Sequence, residues 1–218
     1  YYMHVLGALL FDSITFKNVV ATGNVLATDG TKMSKSKGNY TDPFVNFNIF
    51  GADALRFYLV SSVVMQGEDF NFKDEELREV SNRVLNMLRN CFNFFELYAR
   101  DSKNLKSVPE GDNILDTWIK SSLYHTVKIV TDCLDSYDTV RACREVRVFI
   151  EDFSTWFIRR SRERFKSADM GDSTKAQVTT RFILMELSKL IAPIMPFVAE
   201  EIYQKIKSES DPESVHLV

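Results

Sequence analysis

No apolar run in the sequence reaches the ~18 residues that a membrane-spanning helix needs, so no such span is expected. Cysteine is scarce. Cys91, Cys133 and Cys143 make no C-x-x-C pair and fall within stretches that read as apolar helix faces, which argues against a disulfide framework or a zinc site and for reduced core residues. Positive charge is not in excess either: 27 lysines and arginines stand against 30 aspartates and glutamates, a net charge of −3. No bulk field therefore advertises a nucleic-acid partner, and any RNA contact must be local. The pattern G-x-x-x-x-G-K-[S/T] is missing, which excludes a Walker-type nucleotide hydrolase. Internal repeats and low-complexity tracts are absent, as is the charged-then-apolar start of a signal peptide. The chain opens Tyr1-Tyr2-Met3-His4 and is expected to be cut from something longer. What remains is 218 residues, 45% hydrophobic and 26% charged. That is enough for one large domain or one and a part, burying roughly 70–75% of its unfolded surface.

The densest local chemistry lies in Gly30-Thr31-Lys32-Met33-Ser34-Lys35-Ser36-Lys37-Gly38-Asn39-Tyr40. Three ammonium groups, three hydroxyls and two glycines share one short stretch. Cations offset phosphate charge, and glycine lets backbone N–H groups approach oxygens that a bulkier residue would hold away, so the composition suits a bound polyphosphate. It equally suits a solvated surface loop.

Residues 1–14 are mostly apolar and read as a short helix or buried segment, with His4 as a core or edge ring. Phe16 to Gly23 reads as a strand, Asn24 to Ala27 as its return, and Thr28-Asp29-Gly30 as the turn from which the loop departs. Beyond the loop everything predicts helix. Asp42 caps a helix with Pro43 at its first position and Gly51 as its end; a second starts at Ala52, where Asp53 and Arg56 are expected to form a helix-internal ion pair. After an extended piece at 67–72, Asp74-Glu75-Glu76 opens a long helix whose stripe is Leu77, Val80, Val84, Leu88, Cys91, Phe95 and Tyr98. Residues 101–112 read as a linker. Helices then run from Asn113 to about Tyr137, from Thr139 to about Lys166 with Asp138 as cap, from about Thr174 to Ile191, and from Phe197 to about Lys207. Short connections between long amphipathic helices predict an up-and-down bundle.

In the helix after Asp138, Val140, Cys143, Val146, Phe149, Phe153 and Trp156 make the expected buried stripe. Beyond Trp156 its character changes. Arg159, Arg160, Arg162, Arg164 and Lys166 stand against Glu163 alone, a local charge of about +4 where the helix macrodipole favours only one or two cations. Guanidinium forks match phosphate, and a neighbouring tryptophan stacks on a base, so Trp156 and the four arginines are candidate RNA contacts. An intramolecular ion network is the competing reading.

Three stretches carry a resemblance. Lys32-Met33-Ser34-Lys35-Ser36 with Lys37-Gly38-Asn39 is similar to the KMSKS signature of class I aminoacyl-tRNA synthetases; Gly51-Ala52-Asp53-Ala54-Leu55-Arg56-Phe57-Tyr58-Leu59 is similar to the segment that comes after it there; and the run from Leu190 to Ile202 (LIAPIMPFVAEEI) matches too. Together they resemble the C-terminal half of the isoleucine, valine, leucine and methionine subgroup over essentially the whole chain. Within it, Asn39-Tyr40 and Trp156-Phe157-Ile158-Arg159-Arg160-Ser161-Arg162 are most similar to isoleucyl-tRNA synthetases, with valyl enzymes the closest competitor. The resemblance implies a mainly α chain: residues 1–66, the C-terminal piece of a Rossmann-type α/β catalytic domain with the KMSKS loop, and residues 67–218, a helical anticodon-binding domain. It implies that Lys35 contacts the ATP phosphates while Lys32 and Ser34 shape the loop, that ATP acts with Mg2+ in the full-length enzyme, and that isoleucine tRNA meets the basic helix end in the cytoplasm. The second class I signature, HIGH, is not found, since His4-Val5-Leu6-Gly7 lacks the second histidine and lies too close to the loop. The chain alone is thus expected to be inactive, with no tightly bound cofactor and no metal ligands of its own. The alternative from another class is a free-standing helical RNA-binding protein with a relic of the loop.

Overall fold

The computed structural model describes residues 1–34, 36–39, 42–99, 113–167 and 169–218. The linker expected at 101–112 lies outside them. At the N-terminus, helix α1 (Tyr2–Phe11) forms as its composition predicts but buries only Gly7. His4 is exposed, its ring 4.6 Å from that of Phe16, so neither the buried segment nor the core histidine is found. The strand expected over 16–23 does not form either. A strand needs a ladder partner for its backbone groups, and Val19 and Val20 lie exposed, while the Gly23 N–H donates to the Val64 carbonyl at 2.8 Å. Strand β1 (Val25–Leu26) pairs instead with β2 (Phe70–Asn71), in parallel, Val25 opposite Phe70 and Leu26 opposite Asn71. The small β element that launches the loop is therefore closed by a segment some 45 residues away. Asp69 seals its edge, accepting from the Asn24 N–H at 3.0 Å and from Asn24 Nδ2 at 2.9 Å.

Helix α2 (Pro43–Phe50) starts where predicted, the Asp42 carboxylate accepting from the Phe44 N–H at 2.9 Å with proline in the first turn. Gly51, at φ 82°, takes the left-handed backbone that ends α2 and admits α3 (Ala52–Val60) at a new angle. After a 3₁₀ turn (Val63–Gln66) and β2, a first long rod is built from α4 (Asp74–Val80), a π turn (Ser81–Asn86) and α5 (Met87–Tyr98). Helix α6 (Ile114–Asp135) is capped by Asn113. A second composite rod comes next, α7 (Thr139–Asp152) capped by Asp138, a π turn (Phe153–Ile158) and α8 (Arg159–Phe165). Helix α9 (Met170–Ile191) begins four residues earlier than expected, because Asp169 caps it by accepting from the Gly171 N–H at 2.9 Å. Pro196 opens α10 (Pro196–Ile206).

The rods share one core. Leu77, Val84, Leu88 and Phe95 from the first meet Ile119 and Leu123 of α6, Val146, Phe149 and Phe153 of the second, Ile183, Leu187 and Ile191 of α9, and Ile202 of α10. Each such fully buried side chain contributes about 1.5–3 kcal/mol. The π turn in the second rod decides which residues join them. An i→i+5 turn takes up one extra residue and rotates the rest of the helix about its axis, so burial passes from Phe153 to Phe157, Ser161 and Phe165. Trp156, expected in the buried stripe, is half exposed instead. The three cysteines are free and buried, as read from the sequence, and burial pushes the Cys91 thiol up to about 11 and Cys143 to about 12. Among the described residues no helix is long and apolar enough to cross a membrane.

Candidate functional site

The loop is organised by Asn39. Its Oδ1 accepts from the Ser34 N–H at 2.9 Å, while its Nδ2 donates to Thr31 Oγ1 at 2.9 Å and to the Lys32 carbonyl at 3.2 Å. One amide thereby ties both limbs of the loop together. Within it the Lys37 and Gly38 N–H groups donate to the Ser34 carbonyl, and the Ser34 and Ser36 hydroxyls lie 2.9 Å apart. Gly30 at φ 78° and Gly38 at φ 61° supply left-handed backbone at the two points where the chain reverses. Asp29 braces the first reversal. Hydrogen bonds from the Thr31 N–H and hydroxyl hold its carboxyl below the usual range. Beside the loop opens a cleft of about 260 Å³, lined by Thr28, Met33, Gly38, Asn39, Phe72 and Asp74.

Of the residues expected to carry the chemistry, Lys32 is exposed at the base of the loop, where it bridges to Leu26, and Ser34 is half-buried at its centre. Lys35 lies outside the described residues. The loop's composition is therefore legible in the sequence, whereas its closure by Asn39 is not. The only sequence signal for that role was an amide after a turn glycine. Among the described residues no group of three His, Cys, Asp or Glu side chains is placed to hold a metal ion.

The helix α3, beyond the loop segment, is fastened to the far end of the chain. Asp53, 3% exposed, accepts from the Val198 N–H at 2.7 Å and the Phe197 N–H at 3.3 Å, so it caps α10 from a distance. Burial raises its carboxyl above the ordinary value against the pull of those two bonds. Arg56 donates from Nε to the Ile194 carbonyl and from Nη2 to the Pro193 carbonyl, both at 3.1 Å. The helix-internal ion pair expected of these two residues is replaced by a clamp, because α10's unpaired N–H groups and the carbonyls of the preceding turn lie within reach and need partners. At its other end α3 is pinned by Thr139, whose hydroxyl donates to the Val60 carbonyl at 3.0 Å.

The basic helix end splits into two groups. Arg159, Arg160 and Arg162 are exposed. The Arg160 guanidinium lies 4.3 Å from the centroid of the Trp156 ring, and Arg162 sits over Phe94 at 5.9 Å. Arg164 belongs to the interior. It forks to Asp116 at 2.7 and 2.8 Å and holds Asp172 at 2.8 to 3.1 Å, with its side chain 11% and that of Asp116 2% exposed. Asp116 foremost drives the Arg164 guanidinium further above its already high value, and Arg164 in turn holds the Asp172 carboxyl below its own. Arg164 is thus corrected from a surface contact to the pin that joins α8 to the first turns of α6 and α9. Exposed positive charge at this helix end thus rests on Arg159, Arg160 and Arg162 with Lys166.

The alignment of rods sets where these groups lie. The second rod starts at α3 through Thr139 and rises about 1.5 Å per residue, which places Arg162 about 35 Å away at the opposite end of the bundle. The first rod and α9 run between the same two ends. Phe94 and Tyr98 of α5 pack on Phe165, and Asp172 of α9 holds Arg164.

Two family models match the chain. One, described as tRNA synthetases class I (I, L, M and V), covers residues 1–73; the other, described as the anticodon-binding domain of tRNA ligase, covers residues 116–218. Among curated relatives, Isoleucine--tRNA ligase of Chlamydia trachomatis serovar D is 42% identical and that of Chlamydia muridarum 45% identical, each over all of this chain. The chain spans 21% of the length of each. Among solved structures, the crystal structure of an Agrobacterium radiobacter LeuRS in ternary complex with tRNA and LeuAMS superposes with a TM-score of 0.72 at 22% identity, over 98% of this chain and 25% of that one. Mycobacterium tuberculosis methionyl-tRNA synthetase in complex with methionyl-adenylate gives 0.67 at 20% identity, over 88% and 42%. At those identities the likeness to the solved structures is one of fold.

Proposed function

Because the chain belongs to the class I tRNA synthetases of the isoleucine, leucine, methionine and valine group, and includes that group's anticodon-binding domain, we propose that it is the part of an isoleucine--tRNA ligase that supplies the ATP-facing loop and the helices that grip the anticodon arm. The observation that carries the isoleucine reading is 42% identity, sustained over the whole chain, with ligases of that specificity. We divide the chain near residue 67, the loop-bearing segment before it and the RNA-binding bundle after it, and assign the reaction to the cytoplasm.

In this reading the loop carries cations to the phosphates of ATP. Lys35 meets the oxygens on which charge develops as pyrophosphate leaves, and Lys32 and Ser34, braced by Asn39, hold the loop in shape. Mg2+ would screen the same phosphates in the full-length enzyme, and we assign it no ligand from this chain. At the other end Arg159, Arg160 and Arg162 face the backbone of the anticodon arm, and Trp156 with Arg160 stacked on it offers a flat surface to an unpaired base. Each lost phosphate contact lowers the salt slope of binding by about one unit. Arg159→Ala and Arg160→Ala are therefore expected to weaken tRNA binding and flatten log K against log salt, each by about one phosphate's worth. Filter binding over a salt series checks this, and unchanged affinity and slope in both variants would make the exposed arginines bystanders.

Amino-acid-dependent pyrophosphate exchange tests the specificity. The full-length protein is expected to exchange with isoleucine in preference to valine, and exchange driven by valine alone would move the assignment to the valyl enzymes. The 218 residues alone are expected to unfold cooperatively and bind tRNA weakly, since the bundle buries its own apolar faces. They should show no exchange at all, because one loop cannot hold amino acid, α-phosphate and pyrophosphate together. Exchange catalysed by the pure chain would mean that it contains a whole active site.

A further inference from the structure

The loop and the exposed arginines lie toward opposite ends of a stiff assembly, and beside the β1–β2 ladder, which ties the loop segment to the start of the first rod, helix α3 is its second connection to the bundle. Helix α3 comes after the loop segment, and its contacts with the bundle include polar ones at each end: Asp53 and Arg56 on the stretch from Pro193 to Val198, and the Val60 carbonyl on Thr139. Its apolar face, with Ala54, Phe57 and Tyr58 buried, fills the space between these anchors. Apolar packing is non-directional and tolerates sliding. The four hydrogen bonds of Asp53 and Arg56 do not, because a carboxylate and a guanidinium each engage two backbone groups at fixed separation. Sequence economy alone gives no reason for a buried carboxylate here. An ordinary serine or threonine at residue 195 would cap α10 locally, yet that position is Met195, whose backbone lies outside the helix and whose side chain makes no cap.

We propose that Asp53 and Arg56 are positioning residues that fix the span between the loop and the basic helix end, so that a tRNA gripped at the basic end is presented at the right distance to the reaction site beside the loop. The proposal rests on the function assigned above. A ligand held at two points gains from the second contact only if the distance between the points on the protein matches the distance on the ligand. A loosened joint leaves the loop segment on the β1–β2 ladder and the Gly23–Val64 bond alone and lets it pivot about them against the rods. Each separate site then stays intact while the cooperation between them falls.

The test compares whole tRNA with its parts in the full-length protein carrying Asp53→Ala or Arg56→Ala. Isoleucine-dependent pyrophosphate exchange probes the loop alone, and the affinity of an anticodon stem-loop RNA probes the basic end alone. Both are expected to stay within about twofold of the parent, while KM for whole tRNA in charging rises by about tenfold or more. Asp53→Asn keeps one acceptor for the Val198 N–H and should fall between parent and alanine variant. Arg56 has an exposed side chain, so its variant carries the test should Asp53→Ala fail to fold. An unchanged KM for whole tRNA overturns the proposal, and so does a parallel fall in exchange and charging, which marks a general structural defect. If the parent protein activates a different amino acid, the functional reading fails separately, and the same comparison is made with that amino acid and its tRNA.

Discussion

Replacing Arg164 with alanine is expected to remove about 3–5 kcal/mol of stability, the usual cost of stranding buried charge when one partner of an ion pair is deleted. Here the cost falls on Asp116, 2% exposed, which loses both of its forked hydrogen bonds, and on Asp172, which loses three. For a domain of this size the loss corresponds to a fall in Tm of roughly 6–20 °C. Arg164→Lys restores the charge but not the fork, and should recover only part of it. Because Asp172 titrates lower in the folded chain than its ordinary value of 3.8, its contribution is present above that pH and is lost as pH falls through the folded value. Acid should therefore weaken the parent relative to Arg164→Ala, the gap between the two unfolding curves narrowing as pH falls through the folded value of Asp172, below 3.8. The salt slope of tRNA binding, by contrast, should not change. A variant with unaltered Tm and a shallower slope would return Arg164 to the RNA-facing surface.

The second large effect is catalytic. Lys35→Ala in the full-length protein is expected to slow isoleucine-dependent pyrophosphate exchange by roughly ten- to a hundredfold, since a charge-assisted bond to a developing anion contributes about 1.5–3 kcal/mol. Folding should survive. The hydrogen bonds that close the loop come from Asn39, Thr31 and Ser34, and among the described residues the core contains none from the loop. Unchanged exchange kinetics would remove Lys35 from the phosphate-facing set and leave the loop as a solvated turn.

The features legible in the sequence are the local ones. Asp42 before Pro43, Asn113 and Asp138 each act on the turn immediately after them, and each marks a helix start where it was expected. The α faces up to Phe153 were legible for the same reason, because period 3.6 holds until something interrupts it. The π turn at Phe153–Ile158 does interrupt it, and a fixed period then assigns Trp156 to the core when Phe157 occupies it. Long-range partners left no trace in the sequence. Val19 and Val20 have the composition of a strand without the neighbour that would make one, while Val25 and Leu26 find Phe70 and Asn71. Arg164 read as one more cation in a row. Its burial depends on Asp116 and Asp172, whose approach is set by the fold of three helices. The same holds for Asp53 and Arg56, where proximity in sequence suggested a partner one turn away and the structure supplies others at separations of 137 to 145 residues.

That last separation has a consequence for the order of events on the ribosome. Asp53 emerges 145 residues before the N–H of Val198 exists to meet it, which at cellular rates of translation is roughly 7–30 s. Throughout that interval the α3 carboxylate and guanidinium stay hydrated, while Tyr58 of the same helix already has Phe70 and Phe72 to pack on. The clamp between α3 and α10 is consequently the last tie on the loop-bearing segment to close, after the β1–β2 ladder and the Thr139 bond. A ribosome stalled before Pro196 would display rods already able to pair and a loop segment held by the β1–β2 ladder and Thr139 but not by its clamp, so termination before α10 would leave that segment fastened at one end only.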